Sequence, residues 1–489
     1  MLFNSYIFVL LFLPMCVVGY FGLNRFRQYA LSQVFLLGMS LWFYGFFNPS
    51  YLVIILASIV FNYAAAMLME RSRNPHIRKA ELMAALVFNL GILFYFKYYD
   101  FFVQNINRLF SADFTLLHLV LPLGISFFTF QQISYIVDTY RGETTPCSFI
   151  QYASFVCFFP QLIAGPIVSH DELIPQSRDL SRKQLCWENL ARGMYLFSLG
   201  LAKKVLIADT FGKVADFGFA PGNIPGLSSL SAILVMLAYT VQVYFDFSGY
   251  SDMAIGLGKM LNIDLPVNFN SPYKALTITD FWDRWHMTLT RFFTKYVYIP
   301  LGGNRRGTAR TYGNILVVYL LSGFWHGAGW NFIVWGVLHG LFTILTRHKK
   351  AFFERLHPVL SWGVLFVFLN VTWVFFRAEQ MQDAWLLLRQ AVGSGAVGIA
   401  TEILDAFTLP EVDLVLTLIP GFLGFWKQME HWIPIIYVGV FAIVLGTRNA
   451  VEREQAFRLS LSSALTTAVL LLWCLFSFSG VSSFLYFNF

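Results

Sequence analysis

Two histidines, His326 and His339, lie within one apolar stretch of the sequence, Tyr319–Gly340. An ionisable side chain inside a bilayer is costly to bury, and such residues usually mark a functional site. An imidazole changes protonation near neutral pH, so His326 is a candidate general base that removes a proton from a hydroxyl group. A packing histidine that bonds a neighbouring carbonyl is the alternative for His326, and both roles stay open for His339.

The residues around His326 predict an interruption of the membrane helix. The motif WHGAGWN, which spans Trp325–Asn331, holds two glycines, and glycine lowers the stability of a helix. Irregular backbone at membrane depth is tolerated where protein buries it or where it lines a cavity. We therefore predict a break at Trp325–Trp330 that places His326 in a cavity wall, with Trp325 and Asn331 as supporting residues.

A third histidine, His286, ends the motif DFWDRWH. Aromatic and aliphatic residues recur at helical spacing over Thr279–Phe293, which predicts an amphipathic helix. On such a helix Asp283 and His286 are i,i+3 neighbours, so the carboxylate is placed to orient the ring. The alternative is a solvated helix at the membrane surface without a chemical role.

The composition predicts the fold class. Hydrophobic residues make up 57% of the 489 residues and charged residues only 12%, whereas soluble proteins carry about 25% charged residues. Long apolar runs recur from end to end, which is typical of an all-α polytopic transmembrane protein. No polar linker divides the chain, so we expect one membrane-embedded domain over residues 1–489, with roughly eleven spans.

The charge pattern predicts the orientation. The net charge of +7 comes from Lys and Arg clusters in short loops, which favours cytoplasmic loops rather than nucleic-acid binding. This rule places both termini outside the cytoplasm, residues 245–310 at the cytoplasmic face as an amphipathic section, and Val412–Trp426 along the outer surface. The five cysteines show no metal-binding spacing, so we predict no metal site.

The C-terminus is aromatic to its final residue, ending in FLYFNF. Chain termini are usually polar and frayed, so we expect the tail, residues 479–489, to lie in a groove. A hydrophobic anchor at the membrane interface is one interpretation. The other is that the hydroxyl of Tyr486 is delivered to the active site.

Six blocks of sequence, spread over most of the chain, resemble the membrane-bound O-acyltransferase (MBOAT) superfamily, specifically its bacterial alginate O-acetyltransferase-like branch. The blocks are LPLGISFFTFQQISYIVDTYRG (Leu121–Gly142), FFPQLIAGPIV (Phe158–Val168), YFDFSGYSDMAIGLG (Tyr244–Gly258), DFWDRWHMTLTRFF to YIPLGGNRRG (Asp280–Gly307), FWHGAGWNFIVWGVLHG (Phe324–Gly340) and the terminal FLYFNF.

The resemblance implies a fold with re-entrant segments and a central tunnel, and it implies catalytic roles for His326 and His286. It implies transfer of an acetyl group from cytoplasmic acetyl-CoA across a bacterial inner membrane. Outside, a separate SGNH-type esterase-like protein would pass the acetyl group to a polysaccharide such as alginate or peptidoglycan. The related D-alanyl transferases work with a separate small peptide that carries a tyrosine motif. A similar motif is fused here around Tyr486, which suggests an acyl-tyrosine relay.

The basic residues near His286 are the expected binding site for acetyl-CoA, with Arg284, Arg305 and Arg306 as candidates. Two alternatives stay open. The first is a transporter of an acylated carrier or polysaccharide unit, in which the histidines relay protons. The second is an enzyme of the same superfamily that acylates a protein or lipid. No P-loop, GxSxG, HExxH or dinucleotide fingerprint occurs in a supporting context.

Overall fold

The computed structural model describes residues 1–393, 395, 397–407, 429–480 and 484–485. Within these ranges the chain is all-α, and its one β feature is an isolated bridge between Phe269 and Trp285. The predicted fold class is therefore confirmed. Tyr486, most of the predicted tail, and Val412–Trp426 lie outside the described residues.

The α-helices of five or more residues in the described ranges are numbered in chain order. Their bounds are α1 Phe8–Arg25, α2 Tyr29–Gly45, α3 Ser50–Arg71, α4 Pro75–Phe110, α5 Ile125–Arg141, α6 Phe149–Cys157, α7 His170–Arg178, α8 Trp187–Ala202, α9 Asp209–Phe219, α10 Ser229–Met260, α11 Ile278–Trp282, α12 Met287–Phe293, α13 Thr308–His326, α14 Trp330–His348, α15 Pro358–Arg377, α16 Met381–Gly393, α17 Thr401–Asp405, α18 Met429–Gly446, α19 Ala450–Gln455 and α20 Leu461–Phe476. Helices α1 and α4 each contain a π-helical stretch.

The helix lengths fit a multi-pass membrane protein. Helices α1, α3, α4, α10 and α15 are long and apolar enough to cross a membrane, judged by length and composition. Helix α20 and the part of α18 from Trp432 to Gly446 are shorter apolar helices. Other predicted spans, α2 and α14 among them, also form helices that are shorter or less apolar.

Helix α10 corrects the boundary that the sequence suggested at residue 245. The helix continues without a break to Met260, and most of its apolar part is buried. Aromatic residues mixed with Lys and Arg over residues 245–310 favoured a surface position for this segment. In the fold, Lys204 Nζ lies 2.7 Å from Asp246 Oδ1, and Lys203 Nζ lies 2.6 Å from Asp252 Oδ2. These buried ion pairs neutralise the charges, so the helix can remain inside the protein.

Two pairs of glycines allow α8 and α10 to pack backbone against backbone. A Cβ atom on Gly193 would lie 2.5 Å from the carbonyl oxygen of Gly256, and one on Gly200 would lie 2.6 Å from that of Gly249. Small residues let membrane helices approach closely where water provides no hydrophobic driving force. This contact fixes α10, whose other faces reach the candidate site.

The predicted single helix over Thr279–Phe293 is wrong. Two short helices form instead, and the chain turns between them at His286, whose φ of +46° is left-handed. The left-handed conformation is uncommon for a residue with a side chain, and it ends the helical register. Asp283 and His286 therefore do not share a helical face.

Buried apolar residues form two clusters that meet at the candidate site. The first joins α1–α8 to the later part of α10 and includes Trp325. The second joins α9, the first part of α10 and α14–α18, and it includes Trp335. His326 lies between these two indoles, so the end of α13 is held by both halves of the protein.

Candidate functional site

The predicted break at His326 is confirmed. Helix α13 ends at His326, and α14 begins at Trp330 after a short segment of extended backbone. The two helices then pack closely, because a Cβ on Gly323 would overlap the carbonyl oxygen of Phe332 and one on Gly336 would overlap that of Tyr319. The histidine is thus displayed at the end of a rigid helical hairpin.

The ring of His326 is enclosed by aromatic side chains. Only 3% of the residue is exposed, and the ring centroids of Trp325, Phe376 and Trp335 lie 4.9, 5.0 and 5.2 Å away. Its remaining side faces a narrow cavity that is also lined by Gly124. The prediction that His326 lines a cavity is therefore confirmed.

Gly124 is required where it stands in that cavity wall. Its φ is +70°, and a Cβ there would lie 2.6 Å from the carbonyl oxygen of Leu162. Glycine adopts this conformation without the steric cost that other residues meet. The turn at Gly124 starts α5 and brings Ser126 and Phe127 into the lining of the cavity.

The narrow cavity adjoins a wider opening, which we name the vestibule. The vestibule has a volume of about 330 Å³ and shares Lys97 and Leu121 with the narrow cavity. Its other lining residues include Tyr95, Asp100 and Phe332. The narrow cavity at His326 has a volume of only about 20 Å³ and meets the vestibule at Lys97 and Leu121.

His286 is fully buried and held by a different set of contacts. Its Nδ1 lies 3.2 Å from Asn268 Oδ1, and the ring of Phe247 lies edge-on at 4.7 Å. The expected orientation of this ring by Asp283 is wrong, because Asp283 is exposed and lies before the left-handed turn. Asn268 is distant in sequence, so no local pattern identified it.

A cleft of about 550 Å³ reaches the residues that hold His286, and we name it the basic cleft. Asp283, Met287, Thr288, Arg291 and Lys295 line it. The hydroxyl of Thr288 donates to Asn268 Oδ1 over 2.9 Å, so one hydrogen-bonded residue separates the cleft from the imidazole. The basic cleft and the vestibule share no lining residue.

The cations of the basic cleft are fixed by carboxylates. Arg291 bonds both oxygens of Glu172 at 2.6 and 2.8 Å, and Lys295 bonds Asp138 and Glu143 at 3.0 and 2.9 Å. Partial burial lowers the pKa of Lys295, but its two carboxylates outweigh burial and raise that pKa above the usual value. Lys295 therefore stays charged at neutral pH. In the same cleft, burial and the nearby Asp280 raise the pKa of Asp283.

The arginines that the sequence nominated for donor binding lie elsewhere. Arg284 bonds Asp280 through Nε at 2.7 Å and is absent from the lining of the basic cleft. Arg305 and Arg306 are exposed in the turn before α13. The fold thus brings Arg291 and Lys295, rather than these three arginines, next to the residues that hold His286.

One indole packs against both histidines. The ring centroid of Trp325 lies 5.9 Å from that of His286 and 4.9 Å from that of His326. Phe127 packs against Trp325 at 5.4 Å and against His286 at 6.4 Å. The fold therefore brings both predicted histidines together around Trp325, with the basic cleft nearest to the residues that hold His286 and the narrow cavity at His326.

His339 and Asn331 lie behind this arrangement. The Nε2 of His339 lies 3.1 Å from Thr372 Oγ1, and its ring packs at 4.7 Å on Trp335, the indole that contacts His326. Asn331 donates to the carbonyl of Ala378 over 2.6 Å. The first contact ties α14 to α15, and the second ties it to the residue after α15. His339 and Asn331 therefore support the fold around the site.

The last described residues of the chain approach the same region. The N–H of Leu485 donates to Asp246 Oδ2 over 3.0 Å. Phe484 is buried and its ring lies 4.8 Å from that of Tyr250. These residues contact the stretch of α10 that also presents Phe247 to His286.

Sequence analysis missed Lys97, which lies beside His326. Its ammonium group donates to the carbonyl oxygens of Trp325 and His326 over 2.6 and 3.2 Å. The signal was present, because Lys97 interrupts the apolar run GILFYFKYY and a charge in such a run marks a functional site. Among the described residues no group of three or more His, Cys, Asp or Glu side chains is arranged to hold a metal ion.

Comparisons with known proteins identify relatives of this chain. The profile of MBOAT, the membrane-bound O-acyltransferase family, matches residues 139–378. A peptidoglycan O-acetyltransferase of Helicobacter pylori is 44% identical over 82% of this chain and 81% of its own length. A probable alginate O-acetylase of Pseudomonas aeruginosa is 40% identical over 79% of this chain and 74% of its own. A teichoic acid D-alanyltransferase of Streptococcus thermophilus is 28% identical over 47% of this chain and 58% of its own.

Proposed function

Because the chain belongs to the membrane-bound O-acyltransferase family, we propose that it is the acetyltransferase that supplies acetyl groups for O-acetylation of an extracytoplasmic polysaccharide. The relatives that cover most of the chain are named for acetylation of peptidoglycan or alginate. The observation that carries the proposal is that His286 and His326 both pack against Trp325, with the basic cleft reaching the residues that hold His286 and the narrow cavity reaching His326.

The donor in this proposal is acetyl-CoA, and it enters from the cytoplasm through the basic cleft. The charges of Arg291 and Lys295 suit the phosphates of the donor. Thr288 and Asn268 then lie between the cleft and His286. The thioester would reach Trp325, where the enclosed aromatic surroundings exclude water and strengthen polar contacts.

The chemical step is acyl transfer to a hydroxyl group. His326 accepts the hydroxyl proton on a ring nitrogen, the oxygen attacks the thioester carbonyl, and the bond from carbonyl carbon to sulfur breaks. The thiolate of coenzyme A leaves with the electron pair and takes up the proton. General-base catalysis of this kind contributes typically about 10²–10⁴-fold. His286, which Asn268 holds firmly, orients the acetyl group.

The acceptor in this proposal is the hydroxyl of Tyr486. Phe484 and Leu485 lie against Tyr250 and Asp246 of α10, and Phe247 of the same helical stretch touches His286. The acetyl-tyrosine then passes its group to a separate SGNH-type protein outside an inner membrane, and that protein acetylates the polymer. This path keeps the polymer itself away from the membrane enzyme.

Purified protein in lipid nanodiscs tests the reaction. With acetyl-CoA labelled in the acetyl group, we expect release of coenzyme A and a base-labile acetyl ester on the C-terminal peptide, detected by mass spectrometry. His326→Gln should lower the rate at which both signals appear by about 10²–10⁴-fold in a folded protein. Absence of thioester cleavage by the wild-type protein, with net movement of a carrier instead, would support a transporter.

The matched variant Tyr486→Phe tests the relay separately. It removes one oxygen atom and keeps the aromatic ring, so the tail should still bind. We expect it to lose the acetyl ester on the chain and transfer to the outer partner protein. Unchanged transfer by Tyr486→Phe would contradict the relay and leave the role of His326 intact.

A further inference from the structure

Lys97 is a charged residue inside one of the membrane helices, and its position is unusual. It belongs to the π-helical stretch Phe94–Tyr98 of α4, one of the helices that is long and apolar enough to cross a membrane. A cation in such a segment is expensive unless it is paired or faces a polar cavity. No carboxylate of the described residues pairs with Lys97, and its ammonium group points at backbone carbonyls instead.

The carbonyls that it contacts belong to the end of α13. The last carbonyl groups of a helix have no partners within the helix. Here the hydroxyl of Tyr98 donates to the carbonyl of Phe324 over 2.9 Å, and the ammonium group of Lys97 donates to the carbonyls of Trp325 and His326. Two consecutive residues of α4 therefore satisfy the three final carbonyls of the helix that carries His326.

Two features, a π-helical turn and the helix dipole, favour the contacts of Lys97 and Tyr98 with the end of α13. The π-helical stretch is closed by a bond from the N–H of Tyr99 to the carbonyl of Phe94. π-helical turns of this kind are rare and frequently occur at functional sites. A cation is also favoured at the C-terminus of a helix, where the helix dipole is negative. The contact is thus favourable enough to offset part of the cost of placing Lys97 there.

Lys97 also connects this helix end to the opposite wall of the cavity. Its third contact is the hydroxyl of Ser126, 3.3 Å away, near the start of α5. Lys97, Ser126 and His326 all line the narrow cavity, and Lys97 lines the vestibule as well. One ammonium group therefore spans the space between the backbone of the histidine and the wall that faces it.

We infer that Lys97 is a positioning residue that sets the place of His326 in the wall of the narrow cavity. This inference rests on the proposed role of His326 in acyl transfer. Lys97 acts through the backbone of the histidine, so its removal should leave the donor site unchanged and misplace the base. Misplacement by about 1 Å costs a reaction on the order of 10²-fold in rate.

Lys97→Met and Lys97→Arg test the inference in nanodiscs, with coenzyme A release measured against acetyl-CoA concentration. Lys97→Met keeps the length and removes the donors, so we expect kcat to fall about 100-fold with KM unchanged. Lys97→Arg keeps the charge, but its larger planar head must displace the two carbonyls. We expect a fall in kcat of about tenfold, again at constant KM, with thermal melting close to wild type.

The outcomes separate this inference from the proposed function. A folded Lys97→Met protein with wild-type kcat overturns the inference, and so does a loss in which KM rises in step with the fall in kcat. Should Lys97→Met fail to fold, Lys97→Arg decides: wild-type kcat in that variant overturns the inference. Full activity in His326→Gln would contradict the proposed role of His326, on which the inference about Lys97 rests. Lys79→Met, which removes an exposed lysine of the same helix, is the matched control and should behave as wild type.

Discussion

The surroundings of His286 and His326 differ in a way that separates their roles. His286 is fully buried at a left-handed turn and is held through its ring by Asn268. His326 ends a regular helix, is held through its backbone by Lys97, and faces a cavity that continues to an opening. A ring that is fixed on all sides suits orientation of a substrate, whereas a ring at a cavity wall suits exchange of a proton.

The largest expected effect comes from His326→Gln, which removes the base and keeps much of the side-chain volume. We expect the rate of acetyl transfer to fall about 10²–10⁴-fold, because the attacking hydroxyl loses its proton acceptor. The measurement is the rate of coenzyme A release at saturating acetyl-CoA.

His339→Gln is the control for that experiment, because His339 is equally buried but packs behind Trp335. Its contact with Thr372 stabilises the fold, so it should lower the melting temperature and retain a rate within about tenfold of wild type. A larger loss of rate in His339→Gln than in His326→Gln would reverse the assignment.

The next effect concerns the pair of His286 and Asn268. His286→Gln should lower the transfer rate about 10–100-fold, since the acetyl group loses its orienting contact. Asn268→Ala should reproduce much of this loss, because it removes the bond that fixes the ring. The transfer rate of the double variant should then be at most about twofold lower than that of His286→Gln. Strictly multiplicative losses would show that Asn268 acts independently of the histidine.

Gly124→Ala should have a smaller effect that combines stability and rate. A side chain at φ +70° costs about 1–2 kcal/mol, and the new Cβ would meet the carbonyl of Leu162. We expect a lower melting temperature and partial closure of the narrow cavity beside His326. Gly142→Ala is the control at a similar φ of +75°, where no atom lies within 4 Å of a Cβ. Equal loss of acetyl transfer in Gly124→Ala and Gly142→Ala would show that backbone strain alone causes the effect.

The comparison of the two histidines also marks what sequence could predict. The break after His326 was predictable, because the glycines that cause it are its immediate neighbours. The turn at His286 was not, since no glycine or proline announces its left-handed backbone and its partner Asn268 comes from another segment. The continuation of α10 past residue 245 depends on ion pairs with Lys203 and Lys204, which are distant in sequence.

The smallest expected effects concern the donor. Arg291→Gln or Lys295→Met should raise KM for acetyl-CoA by a few-fold at nearly constant kcat, because exposed, paired charges contribute about 0–1 kcal/mol each. Arg305→Gln and Arg306→Gln, which lie outside the basic cleft, should change neither constant by more than about twofold. A larger effect on KM from Arg305 or Arg306 than from Arg291 would move the donor site to the turn before α13.

Passage of the acetyl group through the protein is the central claim, and membrane vesicles of opposite orientation test it most directly. Acetyl-CoA does not cross membranes, so the proposed cytoplasmic position of the basic cleft predicts that it is cleaved when added to inside-out vesicles. The acetyl ester should then accumulate on the luminal side, and right-side-out vesicles should cleave none of the added donor. Equal cleavage in both orientations, or an ester product on the same side as the donor, would contradict a path from the basic cleft past Trp325 to the vestibule.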